Sequence, residues 1–300
     1  MGTPEYARII GEGLAQQPNL LLRVVTRPDA PAGRGYKMTP SPVARWAIDQ
    51  GLELDRPQRL TEMLPVWQAF DPDLIVTAAY GRILKPGLLT LAKLGAVNLH
   101  ASLLPRWRGP NPIAWAIRAG DAMTGVSLMK MDAGVDTGPV YAQRAIPIGA
   151  RVSTGALTKE LAHLARDLLL ESLPRVVAGI LAPVPQDNQR ASQAPKFLSQ
   201  ESEISWQQTA VEIDRRVRSM SPEPRAHTTF RGQRIQILEV MPQELAGLEP
   251  GQLRFDKEGV IVGAGIGAVR LLKIKPIGKR EMAAGDWSRG IKHQDSERFE

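Results

Sequence analysis

Short apolar runs alternate with stretches of helical spacing through the first half of the chain. Leu20–Thr26, Leu74–Ala79 and Ala96–Leu99 are runs of strand length bounded by turn residues, and Gly125–Met131 and Gly138–Gln143 read the same way. Between them, Pro4–Ala15, Pro42–Gln50, Leu60–Phe70 and Pro112–Ala119 read as helices. Ser41-Pro42 is a cap followed by a first-turn proline, a good helix start. This alternation predicts an α/β fold with a doubly wound, mainly parallel sheet, whose sites lie at the carboxyl ends of strands. A longer helix is predicted over Ser153–Glu171, with Leu157, Leu161, Leu164 and Leu168 on one face and His163 exposed off that stripe.

The pattern then breaks. Leu181–Pro195 holds prolines, glutamines and small polar residues without periodicity, which predicts a linker. The organisation read from this is a domain over 1–181, a linker over 182–198 and a second domain over 199–300. In the last of these, Thr209–Met220 reads as a helix. Ala226–Phe230, Gln233–Val240, Gly251–Phe255, Val260–Val262 and Ala268–Ile274 read as closely spaced strands, the mark of a small β-barrel. Gly263-Ala264-Gly265-Ile266-Gly267 lies between two of these strands and lacks the following helix of a dinucleotide fingerprint, so it reads as a hairpin turn. Ala32-Gly33-Arg34-Gly35 lacks the Lys-Ser or Lys-Thr of a phosphate loop.

Composition narrows the chemistry. The 300 residues include no cysteine, which excludes disulfides, thiolate nucleophiles and thiolate metal ligands and favours a reducing compartment. No apolar run approaches the ~20 residues of a membrane span, and the first residues show no charged leader with an apolar core, so neither a span nor a secretory signal is expected. The formal net charge of +7 permits a polyanionic partner. Its distribution says more. Residues 215–234 hold six arginines against the single acid Glu223, and 270–292 hold seven Lys or Arg against Glu281 and Asp286. Such clustering fits phosphate contact. Solvated faces and charge-protected strand edges are the competing reading.

Candidate catalytic groups sit at two strand ends. Asn98 lies in the run Ala96–Leu99 and His100 directly follows it, and Asp136 lies between two predicted strands in Met131-Asp132-Ala133-Gly134-Val135-Asp136-Thr137-Gly138-Pro139. An amide, an imidazole and a carboxylate can serve acyl transfer without a metal. The amide donates to a developing oxyanion, the imidazole moves or stabilises a proton, and the carboxylate orients the imidazole. Asp132 competes with Asp136 for the last role. Asparagine is a poor metal ligand and no second histidine lies nearby, so a metal site is not expected.

Asn98-Leu99-His100-Ala101-Ser102-Leu103-Leu104-Pro105, followed by Arg106-Trp107-Arg108-Gly109 and later Asp136-Thr137-Gly138, resembles the 10-formyltetrahydrofolate-dependent formyltransferases. The loop Thr26-Arg27-Pro28-Asp29-Ala30-Pro31-Ala32-Gly33-Arg34-Gly35 with Pro40-Ser41-Pro42-Val43, and Gly125–Asp132, resemble the branch of that family whose formyl acceptor is the α-amine of an initiator methionyl-tRNA. The resemblance runs from Gly2 to about Lys292. It implies a formyltransferase-fold catalytic domain, a C-terminal barrel of oligonucleotide-binding type that contacts tRNA, and a cytoplasmic monomer acting in translation initiation without membrane or DNA. It also implies 10-formyltetrahydrofolate as formyl donor and co-substrate, with no metal, and catalysis by Asn98, His100 and Asp136, Asp132 being structural.

Ser102, Leu103, Leu104 and Pro105 then match the folate-binding segment, with Tyr80, Gly81 and Ile83 forming the other wall. Arg34 and Lys37 on the loop, Arg106 and Arg108, and Arg215, Arg216 and Arg218 would follow the tRNA. The family's Gly-Thr-Pro turn follows an apolar central strand, whereas the sequence here starts at Met1-Gly2-Thr3-Pro4. Neighbouring strand edges and apolar side chains are therefore expected to be exposed. Two alternatives stay open: a nucleotide-sugar formyltransferase, which shares the Asn-x-His and Ser-Leu-Leu-Pro signals, and a tRNA-binding protein with impaired catalysis.

Overall fold

The computed structural model describes residues 1–32, 35–292 and 297–300. The chain divides into two compact units. One comprises Met1–Pro112, Met123–Pro147 and Thr158–Pro195; the other comprises Ile113–Ala122, Ile148–Leu157 and Lys196–Glu300.

In chain order the elements are α1 (Glu5–Ala15), β1 (Arg23–Val25), β2 (Ala30–Ala32), β3 (Lys37–Thr39), α2 (Pro42–Asp49), β4 (Glu53–Asp55), α3 (Leu64–Phe70), β5 (Ile75–Thr77), α4 (Pro86–Leu89), β6 (Ala96–His100), α5 (Pro112–Ala119), β7 (Met123–Lys130), β8 (Val140–Pro147) and α6 (Thr154–Val177). α1 buries Tyr6, Ile9, Ile10 and Leu14, one helical stripe. α2 starts where Ser41 Oγ accepts from the Ala44 N–H at 3.0 Å, with Pro42 in its first turn. Trp67 of α3 is buried and satisfies its indole N–H on Asp55 at 2.8 Å. α6 buries Leu157, Leu161 and Leu168, and His163 is exposed.

The sheet is mixed. β1 pairs β4 in parallel, and β5 pairs β6 in parallel. β6–β7 and β7–β8 are antiparallel. The mainly parallel expectation fails at β7 and β8 because the nine residues Met131–Pro139 join them as a hairpin, too short for the crossover that parallel strands need. The hairpin of β2 and β3 inside the glycine- and proline-rich loop was likewise not predicted.

Met1 and Gly2 lie between β1 and β5. Gly2 donates to Val25 O at 3.0 Å, and Met1 O accepts from the Ala78 N–H at 3.0 Å, so the two residues fill one strand's width. Beside them the facing edges of β1 and β5 line an apolar cavity of about 170 Å³, with Ile10, Leu14 and Trp46 also on its wall. Val24, Val25 and Ile75 are nevertheless buried rather than exposed as expected, because side chains of α1 and α2 cover this part of the sheet.

The second unit continues with α7 (Ala210–Ser219), β9 (His227–Phe230), β10 (Gln233–Gln243), β11 (Leu253–Asp256), β12 (Gly259–Gly263), β13 (Ala268–Pro276), β14 (Met282–Ala283) and α8 (Ala284–Arg289). Its sheet runs β11-β12-β13-β10-β9 with β14 on β13, all antiparallel. β12 is buried at every position, as a central strand requires. Trp206, Phe230, Trp287 and Phe299 form its aromatic centre, with Trp206 stacked on Phe299 at 5.4 Å. Residues 263–267 turn β12 into β13, closed by Ala264 N–H to Gly267 O at 3.1 Å.

On this sheet Arg270 grips Asp256 with two hydrogen bonds, 2.9 and 2.8 Å, and holds its carboxyl down to about 2 from an ordinary 3.8. A depressed carboxylate stabilises the fold above its ordinary value and loses that contribution as pH falls through the folded value. The stability gap between wild type and Asp256→Asn in denaturant unfolding is therefore expected to be full above 3.8 and to close toward 2. A gap independent of pH would contradict this.

Candidate active site

Asn98 and His100 stand two residues apart on β6, so their side chains share one face of the strand. Register sets Asn98 beside Thr77 on β5. The Thr77 hydroxyl lies 2.9 Å from Asn98 Oδ1, and Asn98 Nδ2 faces Asp136 Oδ1 at 3.5 Å. A donor on one side and a carboxylate on the other orient the amide with its N–H groups toward Asp136. His100 Nδ1 lies 3.5 Å from Asp136 Oδ2. Its Nε2 is 2.8 Å from the Trp107 carbonyl, which can only accept, so Nε2 donates. The side chains of His100 and Asp136 are 7% and 15% exposed, which shields their interaction from water.

Asp136 turns its carboxylate toward β6 from a left-handed backbone, φ 53°. Its Oδ2 accepts the Gly109 N–H at 2.8 Å. Gly109 itself has φ 112°, and a Cβ there would lie 3.1 Å from Ala194 O, so the position suits glycine. Asp132 does different work: its Oδ1 accepts the Gly134 N–H at 3.0 Å and the Thr137 hydroxyl at 2.8 Å, shaping the loop that carries Asp136.

The segment Ser102–Pro105 is fixed from below. Ser127 Oγ accepts the Leu104 N–H at 3.0 Å, Gln143 donates to Leu104 O at 2.8 Å, and Ser102 donates to Arg106 O at 2.6 Å. Ser102 and Leu104 are buried; Leu103 and Pro105 are half-buried and remain apolar surface at the strand end. Ile83 is 78% exposed, and Gly81 has φ 76°. Tyr80 is buried in a cluster with Val25, Trp67, Leu84 and Leu88, and burial pushes its hydroxyl up.

The basic residues occupy different environments. Arg34 lies outside the described residues. Lys37 is exposed on β3, and Arg106 is exposed with its guanidinium 4.4 Å over the Trp107 ring. Arg108 is buried, 5% exposed, and bonds Gln186 and Asn188. Arg216 is buried on the carbonyls of Glu201 and Glu203, and Arg218 is held by Asp214 and Val152 O. Arg215 is half-buried against Gly120.

Several groups at the site were missed by sequence reasoning: Thr77, the Trp107 carbonyl, the Gly109 N–H and Gln186. Two are backbone groups that no side-chain pattern reveals. Gln186 sits in the stretch read as a linker. That stretch is not free. Val184 bridges Val140, Gln193 bridges Arg108, and the Gln186 amide donates to Asp136 O and Gly138 O at 2.8 and 2.7 Å.

This pairing of a mixed α/β unit carrying an amide, imidazole and carboxylate with an antiparallel β unit matches a known class. Residues 5–173 match the formyl transferase family model, and residues 196–292 match that of the formyl transferase C-terminal domain. A methionyl-tRNA formyltransferase of Aromatoleum aromaticum is 42% identical over 302 aligned positions, spanning 100% of this chain and 95% of that protein. One of Dictyoglomus thermophilum is 39% identical, spanning 100% of this chain and 98% of that protein. The chain belongs to the formyl transferase family and, within it, to the methionyl-tRNA formyltransferases.

Two solved structures share the fold. The N-formyltransferase of Helicobacter canadensis in complex with folinic acid and dTDP-3-aminofucose has a TM-score of 0.68 at 17% identity, covering 90% of this chain and 97% of that one. HypX of Aquifex aeolicus in complex with tetrahydrofolic acid has a TM-score of 0.62 at 21% identity, covering 82% and 45%.

Gly109→Ala puts a methyl group against Ala194 and strains the N–H that holds Asp136. We expect kcat to fall ~10-fold or more, since small misplacements of reacting groups are costly, with KM for both substrates nearly unchanged. Unaltered steady-state kinetics would show that this N–H is not needed.

Proposed function

We propose that this chain transfers the formyl group of 10-formyltetrahydrofolate to the α-amine of methionyl-tRNA in translation initiation. The reading is carried by one observation: Asn98 and His100 of β6 and Asp136 of the loop between β7 and β8 converge at the end of β6 in a chain whose full-length relatives are methionyl-tRNA formyltransferases.

The amine is the nucleophile, and a free α-amine titrates near ~8, so the protein need not provide a nucleophile of its own. As the amine attacks the formyl carbon, charge grows on the formyl oxygen. Asn98 Nδ2 donates to that oxygen. His100 Nε2 joins it by exchanging the Trp107 carbonyl for the substrate. Asp136 holds the ring in register throughout. The C–N10 bond then breaks; the amine loses a proton, N10 gains one, and His100 can carry it between them. Loss of one such oxyanion donor typically costs ~10²–10³ in rate.

Leu103, Pro105 and Ile83 supply apolar surface for a flat pterin, and Ser102, Leu104 and Gly81 shape the backbone around it. Fixed bonding of Ser102–Pro105 to Ser127 and Gln143 supports that role. For tRNA we assign Arg34, Lys37 and Arg106 to phosphate or base contacts, and the second unit to the acceptor arm, as a barrel of oligonucleotide-binding type acting in a cytoplasmic monomer. Its antiparallel sheet supports that architecture.

The test is transfer of labelled formyl from 10-formyltetrahydrofolate to methionyl-tRNA. Wild type should formylate. His100→Ala should lose at least ~10² in kcat with unchanged tRNA affinity. An inactive wild type, or equal loss of turnover and tRNA binding in the variant, would sink the reading.

A further inference from the structure

The strap of residues 186–194 crosses both loops that build the site. Its anchor is Gln186. The side-chain amide spans two carbonyls of the catalytic loop, donating from Nε2 to Asp136 O at 2.8 Å and to Gly138 O at 2.7 Å. Its Oε1 accepts from Arg108 Nε and Nη2 at 3.0 and 2.8 Å. Arg108 Nη2 also reaches Asn188 Oδ1 at 2.9 Å. Main-chain bonds complete the link: Arg108 N–H to Ser192 O at 2.8 Å, and Ala194 N–H to Arg108 O at 2.7 Å.

This network touches Asp136 from both ends. Gln186 fixes its backbone, which must hold φ 53°, a conformation that an aspartate adopts at some cost. Arg108 and the strap fix the backbone beside Gly109, whose N–H orients the carboxylate. A buried arginine whose side-chain hydrogen bonds go to the neutral amides of Gln186 and Asn188 is a costly arrangement unless geometry is what it provides. We propose that Gln186, clamped by Arg108, is a positioning residue that sets Asp136 against His100 and so sets kcat, and that Arg108 acts in this clamp rather than on tRNA. The inference rests on the proposed formyl transfer reaction.

The experiment is a double-mutant cycle on methionyl-tRNA formylation, using the full chain. Gln186→Ala is expected to lower kcat ~10–100-fold, the scale of a mispositioned catalytic group, with KM for both substrates within about 3-fold and tRNA affinity unchanged. Gln186→Glu keeps an acceptor for Arg108, and so the fold, but sets an oxygen against two carbonyls. It should lose kcat to the same degree. In an Asp136→Asn background, Gln186→Ala should cost less than about 3-fold more, because residues acting through one another are not additive.

Full additivity, or a Gln186→Glu variant with wild-type kcat, would overturn the proposal. So would an Arg108→Lys variant that loses tRNA affinity while keeping kcat. A wild-type chain that does not formylate at all would instead overturn the underlying reading of the reaction.

Discussion

One carboxylate organises the site. Asp136 meets Asn98, His100 and the Gly109 N–H within 2.8–3.5 Å, and each of these comes from β6 or from the loop that follows it. Asp136 itself comes from the hairpin loop between β7 and β8. The arrangement exists only because that loop is folded over β6, shaped internally by Asp132 and tied from outside by Gln186. A half-buried carboxylate with these partners is a preorganised dipole: its orientation is set before substrate arrives, so little reorganisation is left for the chemical step.

Much of the scaffold was legible because periodicity is a local signal. The elements β1, β5, β6, α1, α2 and α5 lie where apolar spacing put them, with ends shifted by a few residues. What periodicity does not carry is pairing direction, and the antiparallel β7–β8 hairpin followed from loop length rather than from strand pattern. The strap at 186–194 was read as a linker for the same reason. A segment that works through backbone bonds and one glutamine has no apolar period to detect. The three candidate catalytic residues were visible as residue types at strand ends. Thr77, the Trp107 carbonyl and the Gly109 N–H were not, because their partners are distant in sequence or lie in the main chain.

Charge counted along the sequence does not tell what each arginine holds in the fold. The dense stretch from 215 to 234 holds residues whose guanidinium groups saturate carbonyls or pair with acids inside the second unit. Arg216 sits on two carbonyls and Arg218 on Asp214; Arg225 pairs with Glu281, and Arg231 with Glu297. Five donors in a planar fork make arginine as useful for tying loops together as for binding phosphate. Lys37 and Arg106, by contrast, are exposed.

The most direct test of this account compares two aspartates four residues apart in the same loop. Formyl transfer kinetics of Asp136→Asn and Asp132→Asn would be measured side by side. Asp136→Asn is expected to lose at least ~10² in kcat, the scale of a missing preorganised group, with KM values little changed. Asp132→Asn, whose oxygen still accepts in the turn, should stay within about 3-fold of wild type in kcat, as expected of a change outside the catalytic constellation. The reverse order, with Asp132 the more damaging site, would contradict the assignment of Asp136 as the residue on which the site depends.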